Sequence, residues 1–127
     1  MSTPEPQGDG DCFMAAIDNL MAPDAEEYGG FVVAHGRPVL RRPPHDRFWH
    51  AWNESADGLW AIDRSNGGNR LLPRFMYYAL GNIDPGEVTR YTGREVVEKM
   101  LEYKHAGPWT PEYPPLDDWD DEEADPM

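Results

Sequence analysis

The stretch FWHAWNESADGLWAIDRSN, residues 48–66, decides how the chain is read. Two aromatic-rich alternating runs, Phe48 to Glu54 and Leu59 to Asp63, flank Ser55-Ala56-Asp57-Gly58, and this pattern predicts a β-hairpin closed by an Asp-Gly turn. Alternation puts His50, Trp52 and Glu54 on one face of the first strand and Trp49, Ala51 and Asn53 on the other. Pairing centred on the turn brings Asp63 to the level of His50, where it can accept a hydrogen bond from the ring. An imidazole oriented by a carboxylate is two thirds of an acyl-transfer site, and the missing third is a nucleophile. The chain has one cysteine, Cys12.

A length of 127 residues suits one domain with one core. The apolar fraction of 39% and the mean hydropathy of -0.75 are low, but five Trp, six Tyr and four Phe are large burial units and predict a small aromatic core. No apolar run approaches the ~18 residues that cross a bilayer, so no membrane partner is expected. The N-terminus lacks the basic-then-apolar order of a signal peptide, which makes the expected location cytoplasmic. A single cysteine cannot form an internal disulfide; it is either a thiol free for chemistry or a spare buried residue.

The net charge of -13 is uneven. Eight acids and no bases lie between Glu112 and Met127, which leaves 16 acids against 11 bases in residues 1–111. Such a body gives no electrostatic reason to expect nucleic acid. The domain reading is one catalytic unit over 1–111 followed by an acidic, disordered tail over 112–127.

Residues 1–8 carry two prolines and read as an extended arm. Apolar positions 13, 16, 17, 20 and 21 then follow helical spacing, with Asp11 as N-cap and Cys12 in the first turn, where the positive end of the dipole favours a thiolate. Glycines before it let the backbone approach a substrate carbonyl, which makes the Cys12 N–H a candidate oxyanion donor, with Trp52 on the hairpin a candidate substrate contact. Phe31 to His35 reads as a strand, Arg37 to Leu40 as a second extended piece and Arg41 to Pro44 as a loop. After the hairpin, Arg64 to Asn69 is turn chemistry. Leu72 to Gly81 reads as a helix carrying Phe75, Met76 and Tyr77 or Tyr78 toward the core. Glu87 to Tyr91 reads as the last strand. Thr92 and Glu95 form a capping box for a helix from Arg94 to Tyr103 that buries Val96, Val97, Met100, Leu101 and Tyr103.

Acyl transfer by a thiol needs a base, a group that fixes the base and donors for the oxyanion. Cys12, His50 and Asp63 supply these types in kind, provided the sulfur reaches a solvent-accessible groove. Asn66 is a turn former, and Asp63 is better placed to hold the imidazole. His35 with His50 and His45 or Asp63 matches no compact ligand spacing, so no metal is assigned. Arg37, Arg41, Arg42 and Arg47 either bind an anionic substrate or pair with surface acids.

The segments His50-Ala51-Trp52-Asn53-Glu54 and Trp60-Ala61-Ile62-Asp63 resemble the HAWxE and W-x-x-D segments of the transglutaminase-like branch of papain-fold cysteine enzymes. The order of Cys, His and Asp along the chain is that family's order. The resemblance covers residues 8–66 and implies Cys12 as nucleophile, His50 as base and then acid, and Asp63 as orienting carboxylate. Phe13 stands where that family has Trp or Tyr. Asp9-Gly10-Asp11-Cys12-Phe13 also looks like the D-G-N-C motif of ovarian-tumour-type cysteine proteases, whose aspartate-bearing loop forms the oxyanion hole, which implies Asp9, Gly10 and Asp11 as oxyanion and substrate contacts; that family's His comes late in the domain, where this chain offers only His105. The small, Trp-rich, acidic chain further resembles small proteins of actinobacterial phages, which would put it in a host cytoplasm.

The resulting expectation is an α+β, papain-like single domain. An N-terminal helix carrying Cys12 packs on a three- to four-stranded antiparallel sheet carrying His50 and Asp63, with two further helices. The implied activity is hydrolysis, deamidation or transamidation of a protein or peptide-like amide, without a cofactor. The alternative from another class is an inactive papain-like binding protein that engages a host or partner protein through its Trp-rich surface or acidic tail.

Overall fold

A computed structural model describes residues 7–39 and 46–115, apart from the side chains of residues 7–11 and 66. The loop expected over 41–44 and the acidic residues from 117 onward lie outside the described residues. The element order is α1 (Gln7–Asp18), β1 (Phe31–Gly36), β2 (His50–Ser55), β3 (Trp60–Asp63), β4 (Arg70–Pro73), α2 (Arg74–Gly81), β5 (Thr89–Tyr91) and α3 (Gly93–Tyr103), with short 3₁₀ turns between them. The strands form one antiparallel sheet of order β4-β3-β2-β1-β5. The architecture is α+β with five strands, not the three or four expected. The added strand is β4, because Arg70–Pro73 pairs with the whole of β3 before the helix begins at Arg74.

The hairpin forms, with a turn that differs from the expected one. Ser55 stays in β2 opposite Phe31, and Leu59 joins the loop, where it is exposed. Asp57 holds this loop: its Oδ1 accepts from Ser55 Oγ at 2.6 Å and from the Leu59 N–H at 3.0 Å, while Gly58 takes a φ of +79°. The ladder pairs Asn53 with Ile62 and Glu54 with Ala61. Continued, it sets Asp63 opposite Trp52, two residues from the expected level. A two-residue shift keeps every side chain on its face, so His50 and Asp63 remain diagonal neighbours on the same side.

Alternation along the strands divides the core between the two faces of the sheet. On one, Ala34, Trp52 and Ala61 pack with Tyr77, Tyr78 and Ile83, placing α2 there. On the other, Val33 and Ala51 pack with Cys12, Phe13 and Ala16 of α1, Val96 of α3 and Trp109. Along α3 the apolar residues that are buried or half-buried are Val96, Met100 and Tyr103, at the i, i+4, i+7 spacing of one face. Val97 and Leu101 fall off that face and are exposed, against expectation. On α2 both tyrosines are buried, whereas Phe75 and Met76 face outward. The capping box at Thr92 and Glu95 is present. Glu112 accepts from Trp49 Nε1, and the Tyr113 carbonyl meets His105 Nε2.

Buried polar groups tie α1 to the sheet. Asn53 Nδ2 donates to the carbonyl of Ala16, one of the carbonyls left over at the helix C-terminus, at 2.9 Å. Asn53 Oδ1 accepts from Asn19 Nδ2, Asn19 Oδ1 accepts from Arg64 Nη1, and Arg64 pairs with Asp24. The chain of contacts runs from the end of α1 to the residue after Asp63. It therefore sets where the Cys12 helix lies relative to β3.

Candidate active site

Asp63, the last residue of β3, is the hub of the site. Its Oδ2 accepts from Tyr77 OH at 2.6 Å and lies 2.9 Å from His50 Nε2; its Oδ1 accepts from Ser65 Oγ at 2.7 Å and from the Ser65 N–H at 3.1 Å. Burial opposes ionisation of Asp63, but the hydrogen bond and charge of His50, with the hydroxyls of Tyr77 and Ser65, hold it well below the usual carboxylate range. The β2–β3 ladder ends at Asn53 and Ile62, so the two strands part at the level of His50. Helix α1 lies along β2 and against the turn that follows Asp63.

That placement brings Cys12 to His50. Burial pulls the imidazole down, and hydrogen bonds to Asp63 and Cys12 together with attraction to both charges outweigh it, raising His50 to about 9. With Nε2 on Asp63, Nδ1 is the nitrogen left for the sulfur. Trp52 stacks beside the ring, with centroids 6.0 Å apart at an interplanar angle of 24°. The thiol, imidazole and carboxylate are therefore brought together, in the order in which the chain presents them.

Other expected contacts change. α1 begins at Gln7, not at Asp11, since Asp9 and Asp11 suit the positive end of a helix and the glycines do not stop it. Cys12 thus lies in the second turn. Its N–H belongs to the i to i−4 ladder, so it is not a free oxyanion donor, and the terminal dipole has largely fallen off at this depth. Asp9, Gly10 and Asp11 form the first turns of this helix and not a loop; their side chains are outside the description. Trp52 is 1% exposed and donates its indole N–H to Glu54 Oε2 at 3.0 Å, which removes it from the substrate contacts. The required open groove is not met either. Cys12 is 1% exposed, within the apolar cluster of Phe13, Val33 and Ala51.

Cavities flank the site on two sides. One of about 380 Å³ is lined by Asp63, Ser65 and Arg70; another of about 490 Å³ is lined by Phe13, Phe48 and Trp49. Neither is lined by Cys12. The late histidine, His105, accepts from the Gly107 N–H through Nδ1 and meets the Tyr113 carbonyl through Nε2. His35 is buried between Phe13, Tyr91 and Trp109, and burial with the charge of His50 lowers it to about 3, so it stays neutral. Among the described residues no group of three His, Cys, Asp or Glu could hold a metal. No described helix is long and apolar enough to cross a membrane.

Two members of the site escaped the sequence reading. Ser65 was legible, because an Asp two residues before a Ser is a turn pattern in which the carboxylate caps the following N–H. Tyr77 reads from the sequence only as one of two tyrosines that could face the core. Its hydroxyl reaches Asp63 because β4 returns the chain along β3 before α2 starts, which no local pattern indicates.

No family model matches the chain, and comparison with curated proteins and with solved structures gives no match.

Proposed function

We propose that this chain is a papain-like, transglutaminase-like thiol enzyme that transfers an acyl group from a peptide-like amide. The observation that carries the reading is His50, bonded through Nε2 to an ionised Asp63 and in hydrogen-bonding reach of Cys12. A structural cysteine has no need of an imidazole held by a carboxylate that is itself fixed by two hydroxyls and an N–H. The antiparallel sheet, with the Cys helix on one face and His and Asp on adjacent strands, is in keeping with the family that HAWNE and WAID resemble.

In the proposed reaction the Cys12 sulfur attacks the amide carbon as a thiolate, and the carbonyl π pair moves to oxygen. On collapse of the tetrahedral intermediate the C–N bond breaks, and His50 gives its proton to the leaving amine. Water or a second amine then attacks the thioester while His50 takes its proton, and Cys12 leaves. Asp63 keeps one ring nitrogen protonated throughout. Tyr77 and Ser65 hold Asp63. No step calls for a cofactor.

The burial of Cys12 favours a second reading, in which the same fold binds a partner protein without turnover. Alkylation separates the two. Iodoacetamide near neutral pH, followed by intact mass, is expected to modify Cys12 in the native protein at least tenfold faster than in His50→Ala. Slow labelling of both proteins would leave the binding reading standing and end the enzymatic one.

A further inference from the structure

We infer that the cavity between the start of β2 and the chain around Gly107 binds a flat ligand carrying an oxyanion. Its volume of about 490 Å³ lies in the range of small-molecule sites. Two guanidinium groups, Arg37 and Arg47, share its wall with Phe13, Trp49 and Tyr113. The claim goes beyond acyl transfer and does not depend on turnover.

Three observations converge on an anion. Arg37 lies over the Trp49 ring, with Cζ 5.5 Å from the centroid, so one guanidinium face is held while its edge is left to donate. Its Nε is buried without a hydrogen-bond partner, an unfavourable state that an arriving acceptor relieves. Arg47 is fixed through Nη1, which donates to the carbonyls of Arg37 at 2.8 Å and Asn82 at 3.2 Å and leaves its other N–H groups for a ligand.

Among the described residues neither arginine makes an ion pair. The acid in the wall, Glu112, accepts from Trp49 Nε1 at 3.1 Å. A guanidinium fork matches carboxylate and phosphate oxygens, and the surrounding rings match a flat apolar substituent. Phe13 follows Cys12 in the chain, and the Phe48 ring, also in the wall, is 5.8 Å from that of His50. A ligand held here would sit beside the triad.

The test is a titration of full-length ¹⁵N-labelled protein with indole-3-acetate, phenyl phosphate and the neutral indole-3-acetamide, following the Trp49 indole and Arg37 Nε–H signals. At least one anionic probe is expected to shift both signals saturably, at least tenfold more tightly than the acetamide, and the tighter anion identifies the preferred oxyanion. Arg37→Gln should abolish that preference. If neither anion binds at least tenfold more tightly than the acetamide, or neither gives a saturable shift at millimolar concentration, the inference is overturned. The comparison of charged with neutral probes uses the native protein, so it decides the matter even if Arg37→Gln fails to fold.

Discussion

At the scale of single residues, one carboxylate organises the site. Asp63 accepts from Tyr77, Ser65 and His50, and its charge helps to keep a largely buried imidazole protonated. Asp63→Asn preserves the shape and removes the charge, so His50 should fall from about 9 by more than one unit. NMR titration of the His50 ring protons measures this directly, and an unchanged midpoint would mean that Asp63 does not set the state of the ring. The same substitution should slow alkylation of Cys12. Each triad member was legible as a residue type in a plausible place. The depth of the sulfur was not, because exposure depends on what packs over a residue and not on its neighbours in the chain.

At the scale of elements, the hairpin shows how a small error in register can leave a prediction of facing intact. Ser55 and Leu59 exchange the roles expected of them, and the shift is two residues, so His50 and Asp63 still face one another diagonally. Gly36, opposite His50 in β1, leaves room for the Trp52 ring: a Cβ there would lie 2.6 Å from Trp52 Cη2 and 3.2 Å from Val88 Cγ2. Gly36→Ala is expected to destabilise the protein by about 1–3 kcal/mol through overpacking, and to disturb the indole stacked on His50. Chemical denaturation followed by tryptophan fluorescence tests it; a variant as stable as the native protein would show that the ring moves aside without penalty. Helix α1 began earlier than its apolar spacing suggested, since that period marks the face a helix buries and says little about how far its polar first turn extends.

At the scale of the molecule, the His50–Asp63 pair ties stability to pH. His50 stands at about 9 when folded against about 6.5 when unfolded, so its contribution is full below about pH 6.5 and is lost as pH rises through about 9. Asp63 is held low, so its contribution is present above about pH 4 and is lost on acidification. Unfolding free energy should therefore decline by about 1–3 kcal/mol between pH 6.5 and 9, and this decline should flatten in His50→Gln. Urea titrations across that window read both curves. Identical slopes in the two proteins would remove His50 from the account. By itself the sequence determined the α+β class, the hairpin, the capped third helix and the shared face of His50 and Asp63, because these follow from periods, turns and caps spanning a few neighbouring residues. Only the tertiary structure decided the fifth strand, the arrival of Tyr77, the burial of Cys12 and the arginine-lined cavity. Those depend on which distant segments the chain closes together, and closure is governed by the packing of the whole core, which no local pattern carries.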